Sequence, residues 1–235
     1  MLTLDLWFFL IAGPAVVFAG ISKGGFGSGA AFAASSVLAL VVEPGLALGV
    51  MLPLLMLIDV STLRPYWGRW HLREAGLVIA GALPGIALGA ALYRIASPDV
   101  LRLLIGLVSV GFVLWQISVK RGWLRFGARH MPDPAGLVAG LAVFLLSRGL
   151  GKTGYQATSV LIFWAVNIAK FIPYAFLGMF TLETAQANLV LAPFAVLGAW
   201  IGVRAHHAVP ERAFFALTYI LLTITGLKLI WDGLT

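Results

Sequence analysis

The sequence contains no cysteine and little charge: 16 Lys and Arg and 9 Asp and Glu among 235 residues. The absence of cysteine excludes a disulfide framework. Hydrophobic residues make up 61% of the chain, against about 45–50% in an ordinary soluble domain. Disorder requires the opposite balance, low hydrophobicity with high charge. The composition therefore predicts a polytopic membrane protein of the all-α class, a helix bundle in the lipid bilayer.

Nine stretches with few or no charges are candidate membrane segments. A helix needs roughly 20 apolar residues to cross the hydrocarbon core, and most of the stretches approach that length. The stretch 29–42 is shorter, which favours a half helix or a re-entrant segment. The stretches are 6–22, 29–42, 45–63, 75–93, 100–118, 135–147, 155–175, 184–203 and 212–230.

The net charge of +7 and the pI of about 10.1 suggest a nucleic-acid surface until the basic residues are located. Many of them lie in two loops between predicted spans, and the positive-inside bias makes both loops cytoplasmic. The charge is therefore an orientation signal, and we expect no nucleic-acid partner. The two loops hold Arg64, Arg69 and Arg73, and Lys120, Arg121, Arg125 and Arg129.

The two halves of the chain share short motifs in the same order. Asp59 is followed after six residues by Pro-Tyr, and so is Asn167, 108 positions later. Further along each half, 85–89 and 198–202 both begin and end with glycine. Duplicated halves are typical of secondary transporters, with the substrate site at their interface. We predict two repeats, inverted in the membrane: a first repeat at 1–118, a basic cytoplasmic linker at 119–133 and a second repeat at 134–235.

The second repeat is shorter than the first. Residues 6–66 lead up to the end of the first Pro-Tyr pair, but only 134–174 lead up to the second, a deficit of roughly 20 residues, about one crossing. The basic residues Arg204 and Arg212 indicate that the loop between them is cytoplasmic. The three predicted spans between the cytoplasmic linker and this loop would instead place the loop on the outer side of the membrane. We therefore expect a missing crossing near 141–148; the alternative is one loop that violates the charge rule.

A glycine-rich segment near the N-terminus is the most unusual local sequence. Glycines disfavour a helix, and in a membrane an unwound backbone is tolerated only where it is buried or lines a cavity. Its free N–H groups, with one lysine beside them, predict an anion-binding cradle. The alternative is a cytoplasmic turn in which the lysine only orients the chain. The predicted site residues are Lys23, Gly24, Gly25, Gly27, Ser28 and Gly29.

Asp59 and Lys170 lie well inside predicted spans, as does Lys228, with Arg102 at the edge of one, and intramembrane charges are functional candidates because they are costly to insert. Asp59 is predicted to be a proton site or the partner of Lys23 or Arg64. Lys170 is predicted to hold an anion, with Asn167 on the same helical face. The alternative for both charges is snorkelling to the membrane surface. A nearby proline, Pro53, predicts a kink whose freed carbonyl faces a cavity.

A second glycine-rich basic turn contains Arg148 and Lys152, and Lys152 is a further candidate anion ligand. The run ending at Thr153 resembles the end of a Walker A motif, but the first glycine and a preceding strand are missing, so nucleotide binding is rejected. His206 and His207 are adjacent and cannot share a helical face as metal ligands. We predict no enzyme activity, no cofactor and no metal.

These motifs together resemble the sulfite exporter TauE/SafE family, also called the toluenesulfonate uptake permease family. The likeness spans nearly the whole chain. It departs in one place: similar members carry a His-Ala-Gly-Gly-Pro-Pro turn before the region 145–148, and this chain has none. The resemblance is carried by the Lys23-Gly-Gly-Phe-Gly run, by Leu52-Pro53-Leu-Leu with Asp59, Tyr66, Trp67 and Trp70, and by Ala157-Thr158-Ser159 with Asn167, Lys170, Pro173 and Tyr174.

The resemblance implies a multi-pass carrier of the bacterial inner membrane for sulfite, sulfoacetate, other sulfonates or carboxylates, with the glycine-rich turns of both repeats near the substrate. An exporter moves its anion down the potential of a cell that is negative inside, whereas uptake would need a coupling site such as Asp59. A channel-like anion pore and a non-transporting membrane assembly protein are the alternatives.

Overall fold

A computed structural model describes residues 6–26, 31–121, 145, 148–205 and 211–235. Every regular element in these ranges is helical. A π-helical turn, Ser22–Phe26, continues α1, and a 3₁₀ turn, Arg64–Tyr66, continues α3. The α-helices are α1 Leu6–Ile21, α2 Ala31–Leu38, α3 Pro44–Leu63, α4 Leu72–Ile95, α5 Pro98–Lys120, α6 Lys152–Phe176, α7 Leu182–Ala205 and α8 Glu211–Leu234.

The predicted all-α membrane bundle is confirmed. Among the described residues, seven helices are long and apolar enough to cross a membrane, all except the short α2. The eight residues of α2 fall inside the stretch 29–42, which was expected to hold a half helix. The stretch 135–147 lies outside the described residues except for position 145.

Helices α3 and α6 pack against each other in opposite directions. The 64–71 loop that follows α3 meets the start of α6, where the His71 backbone N–H donates to Thr158 Oγ1 at 3.0 Å. At the other end, Pro44, the first residue of α3, lines the same cavity as Tyr174 near the end of α6. We call the end of the bundle that holds the 64–71 loop the arginine end, and the opposite one the Pro44 end.

Helices α5 and α8 form a second antiparallel pair, in which glycines bring the two backbones together. A Cβ added to Gly233 would stand 2.7 Å from the carbonyl oxygen of Asp99, and one added to Gly106 would stand 2.7 Å from that of Gly226. Small residues are the usual means of close helix approach in membranes. The start of α5 therefore lies beside the end of α8.

The largest core cluster joins α1, α2, α3 and α7. Helix α1 runs in the same direction as α7: Gly13 faces Phe194, and further on Gly20 faces Ala199. Leu38, Leu54 and Leu191 are among the fully buried side chains. Since α7 ends at the arginine end, α1 and its π-helical turn also end there.

The directions of α5, α6 and α7 can be compared with the predicted missing crossing before Arg204. Helix α5 starts at the Pro44 end, where Leu101 lines a cavity with Tyr93, and its 23 residues carry it about 35 Å toward the arginine end. Helix α6 starts at the arginine end, so the segment between these helices begins and ends on one side of the membrane. Helices α6 and α7 then bring Arg204 back to the arginine end, as its charge predicted. The region 141–148, where the shortening is predicted, lies outside the described residues except for 145 and 148.

Candidate functional site

The glycine-rich segment remains helical up to Phe26. The prediction that its glycines unwind the backbone is wrong for residues 22–26, which form a buried π-helical turn. The reason is packing: a Cβ on Gly24 would stand 2.7 Å from the carbonyl oxygen of Ala199, and one on Gly25 would stand 2.6 Å from that of Gly202. These glycines allow α7 to approach closely. The predicted site residues Gly27, Ser28 and Gly29 lie outside the described residues.

Lys23, in the middle of this turn, forms a buried ion pair with Asp59 on α3. The two side chains are 3% and 0% exposed, so neither snorkelling nor a surface turn describes them. The Lys23 ammonium also donates to the Leu55 carbonyl oxygen at 3.5 Å and stands 5.2 Å from the centre of the Phe163 ring. Of the two predicted partners of Asp59, the structure selects Lys23 rather than Arg64. Π-helical turns recur at functional sites, and this one aims a lysine into the bundle.

Asn167 completes the environment of Asp59. Its amide nitrogen donates to Asp59 Oδ2 at 2.7 Å, in a buried contact between residues 108 positions apart. Asp59 and Asn167 are the equivalent residues of the two predicted repeats, and they touch. A carboxylate that receives a lysine and an amide donor is well satisfied in a low-dielectric interior.

A cavity of ≈ 330 Å³ lies beside this cluster, between α2, α3, α5 and α6. Lys23, Asn167 and Lys170 all line it, so the cavity brings together three of the residues that the sequence singled out. Lys170 is half-buried and lies one turn after Asn167 on α6. Apolar side chains form most of the remaining wall, including Phe32, Leu48, Met51, Leu52, Leu55, Ile105 and Phe163.

Two polar residues that the sequence did not single out as site residues hold the π-helical turn from the arginine end. The Gln156 amide donates to the Lys23 carbonyl oxygen at 2.7 Å, and the Tyr66 hydroxyl donates to the Gly24 carbonyl oxygen at 2.8 Å. These two bonds tie the π-helical turn to α6 and to the 3₁₀ turn that follows α3. Gln156 is 1% exposed; its place in a polar run at the start of an apolar span was the available signal.

Pro53 does not line the cavity. It deprives the Gly49 carbonyl of its helical N–H donor, but that carbonyl points to α7, where the Asn188 amide donates to it at 3.5 Å. The expectation that the freed carbonyl faces a cavity is therefore corrected: the neighbouring helix satisfies it.

The second basic turn lies away from the cavity. The Arg148 guanidinium is 3.7 Å from Glu74 at the arginine end. The backbone of Lys152 begins α6, but its side chain lies outside the described residues, so its predicted contact with an anion stays a prediction.

The comparison with known families agrees with the resemblance seen in the motifs. A family model described as "Sulfite exporter TauE/SafE" matches residues 12–229, which includes all the described helices apart from short ends of α1 and α8. No curated protein and no solved structure gives a significant match. The family is one of membrane transporters of the exporter type, which agrees with the seven long apolar helices found among the described residues. The chain belongs to the sulfite exporter TauE/SafE family.

Proposed function

We propose that this protein is a secondary transporter that exports a small sulfur-containing or organic anion, such as sulfite, sulfoacetate or another sulfonate, across the bacterial inner membrane. The substrate site is the 330 Å³ cavity, and its anion ligands are Lys23, Lys170 and Asn167. Family membership supports the class of protein. The net positive charge beside the cavity supports a negatively charged substrate.

The charge balance of the cavity is the observation that carries the proposal. Lys23 and Lys170 contribute two positive charges and Asp59, paired with Lys23, one negative charge. Counted over the described residues, the cluster has a net charge of +1. An uncompensated charge in the hydrocarbon region is costly. A bound monoanion such as bisulfite neutralises this one, and a dianion such as sulfoacetate balances the cluster when Asp59 is protonated. The volume lies at the lower end of the range for small-molecule sites, about 300–1,000 Å³, which suits a small anion.

Asp59 is the proposed coupling residue. Without substrate its carboxylate neutralises Lys23. Protonation of Asp59, or competition by an incoming anion, frees the Lys23 ammonium to bind substrate. Proton coupling through Asp59 therefore links anion occupancy to the state of the ion pair. An exporter that moves its anion down the membrane potential needs no such coupling. Transport that depends on pH would therefore indicate proton coupling, and transport that does not would indicate uncoupled export.

The inverted-repeat arrangement, with repeats at 1–118 and 134–235 joined by the linker 119–133, is part of the proposal. Motif spacing makes α3 equivalent to α6 and α5 equivalent to α8. Both pairs pack antiparallel, as members of inverted repeats do when they meet at a pseudo-two-fold axis. The contact between Asp59 and Asn167 supports an axis at this point, which is where such carriers place their substrate.

Flux into proteoliposomes tests the proposal. Purified protein is reconstituted, and uptake of radiolabelled sulfite and sulfoacetate is measured for the wild type, Lys23→Ala and Lys170→Ala. Loss of a charge-assisted contact worth about 1.5–3 kcal/mol predicts a loss of about 10- to 100-fold in kcat/KM. Lys228→Ala is the matched control, because Lys228 is an exposed lysine that pairs with Asp232 on α8.

Lys228→Ala should transport like the wild type. Undiminished flux in both Lys23→Ala and Lys170→Ala would reject the assigned site. A wild-type protein that moves neither sulfite nor sulfoacetate nor a carboxylate would reject transport of this substrate class.

A further inference from the structure

A second cavity, of ≈ 220 Å³, adjoins the first toward the Pro44 end. Helices α3, α4, α5 and α6 contribute most of its wall. The two cavities have walls in common, so they are neighbouring compartments rather than separate sites. The residues that line both are Pro44, Leu48, Ile105, Lys170 and Tyr174.

The polar side chains among the described lining residues of the second cavity are all hydrogen-bond donors to an anion. They belong to Lys170, Tyr93 and Tyr174, and the Tyr93 hydroxyl also lies against Gly45 near the start of α3. The rest of this lining is glycine, alanine, proline and other apolar residues, and no carboxylate belongs to it. A charged ammonium with two phenolic O–H donors in an apolar wall is a chemically suitable environment for an oxyanion.

The position of Lys170 differs from that of Lys23 in a way that matters for an anion. Lys23 lines only the first cavity and is engaged by Asp59, whereas Lys170 belongs to the walls of both cavities. Lys170 is therefore the cation that an anion meets from either compartment. An anion that moves between the compartments keeps this charge as a partner throughout, which lowers the cost of leaving one set of donors for the next.

We propose that the second cavity is an adjoining anion subsite, in which Tyr93, Tyr174 and Lys170 bind a small oxyanion on its way between the Pro44 end and the first cavity. Three donor side chains match the three oxygens of a sulfonate or sulfite. The identity of the anion rests on the proposed function, but the existence of the subsite does not, because it is tested by binding as well as by flux.

Hydroxyl deletion tests the subsite through kinetics. Tyr93→Phe, Tyr174→Phe and the double variant keep the rings and remove only the donors. With sulfoacetate supplied at the Pro44 end, each single variant should raise KM by about 10- to 100-fold, the effect of one hydrogen bond to a charged group, and the double variant should raise it further. For Tyr93→Phe the value of kcat should change by less than about twofold, because Tyr93 lines only the second cavity and the first stays intact. Tyr174 also lines the first cavity, so Tyr174→Phe and the double variant are expected to lower kcat as well. Tyr219→Phe on α8, away from both cavities, is the matched control.

Cysteine labelling tests the subsite without transport. Gly89 lines the second cavity, and a Cβ there meets no described atom within 4 Å. In a chain with no native cysteine, Gly89→Cys is the single target of a membrane-impermeant maleimide. Sulfoacetate in Tris buffer, free of competing sulfonate buffers, should slow the labelling, and addition of Tyr93→Phe and Tyr174→Phe should abolish that protection.

The outcomes separate this inference from the proposed function. Protection of Gly89→Cys in a protein that shows no flux would reject transport and support the subsite. Normal flux with no protection and an unchanged KM in the double tyrosine variant would reject the subsite and leave the transport function in place. Loss of protection with the Tyr219→Phe control as well would also reject the assignment to the two cavity tyrosines.

Discussion

The two ends of the bundle differ in how equivalent residues are used. At the arginine end, Tyr66 bonds the π-helical turn and Gly202 meets the backbone of α1. At the Pro44 end, their equivalents by motif spacing, Tyr174 and Gly89, line the second cavity. Among the described residues, backbone contacts fill the arginine end, whereas the Pro44 end holds two cavities that share wall residues. In an alternating-access carrier we would expect such a conformation to be open toward the Pro44 end, with the Lys23–Asp59 pair at the boundary.

The largest loss of stability is expected when the Lys23–Asp59 ion pair is broken. Asp59→Ala leaves the Lys23 ammonium buried without its carboxylate, and breaking a buried pair on one side costs about 3–5 kcal/mol. The thermal midpoint of the detergent-solubilised protein, followed by fluorescence-detected size exclusion, should fall markedly. Lys23→Ala/Asp59→Ala should recover most of the loss. Equal stability of the single and double variants would contradict a buried pair.

A second prediction compares equivalent glycines at the two ends. A Cβ on Gly202 would stand 2.7 Å from the Ile21 carbonyl oxygen, whereas one on Gly89 meets no described atom within 4 Å. Gly202→Ala should therefore destabilise the protein by about 1–3 kcal/mol through overpacking. Gly89→Ala should be neutral or stabilising by up to about 1 kcal/mol, because alanine favours a helix. The same thermal assay measures both, and similar shifts would remove the distinction between the ends.

A third prediction uses the reactivity of buried alanines. Ala47 and Ala157 are both buried, but Ala47 lines the first cavity and Ala157 packs with Tyr66 at the arginine end. Ala47→Cys should react with an impermeant maleimide at least about tenfold faster than Ala157→Cys, because only the former faces a cavity. The difference between the two labelling rates should become smaller during substrate turnover if the carrier opens alternately at its two ends. Faster reaction at Ala157→Cys would reverse the assignment of the open end.

The smallest change in stability is expected when the hydroxyl group of Tyr66 or of Tyr174 is removed. Tyr66→Phe removes a buried hydrogen bond to the Gly24 carbonyl and should cost about 0.5–1.5 kcal/mol of stability. Tyr174→Phe should change stability by less than about 0.5 kcal/mol, as for a substitution outside the packed core. Thermal midpoints of the two variants, measured in parallel, provide the check. A larger loss for Tyr174→Phe would show that its hydroxyl holds the fold rather than a ligand.

The sequence allowed the spans and the charged cluster to be predicted, but not its geometry. Long apolar stretches are direct evidence of spans, and an aspartate inside one needs a cation, which left Lys23 and Arg64 as partners. The motif spacing predicted that Asp59 and Asn167 are equivalent, yet equivalence does not imply contact. Glycine composition could not distinguish an unwound backbone from a close helix crossing, since both require the absence of a side chain. Gln156 was not predicted, because its role is to donate to the carbonyl group of Lys23, which is 133 positions away in the sequence.

The contact between Asp59 and Asn167 has a consequence for the origin of the chain. If both halves descend from one unit that once paired with a second copy of itself, the residue at this position would have touched its own copy across the axis. Two aspartates there would repel each other, and two asparagines would leave Lys23 without a carboxylate. Fusion of the halves into one gene allows each side to carry a different residue. On the predicted duplication, the single carboxylate at this contact would reflect divergence of the two halves after their fusion.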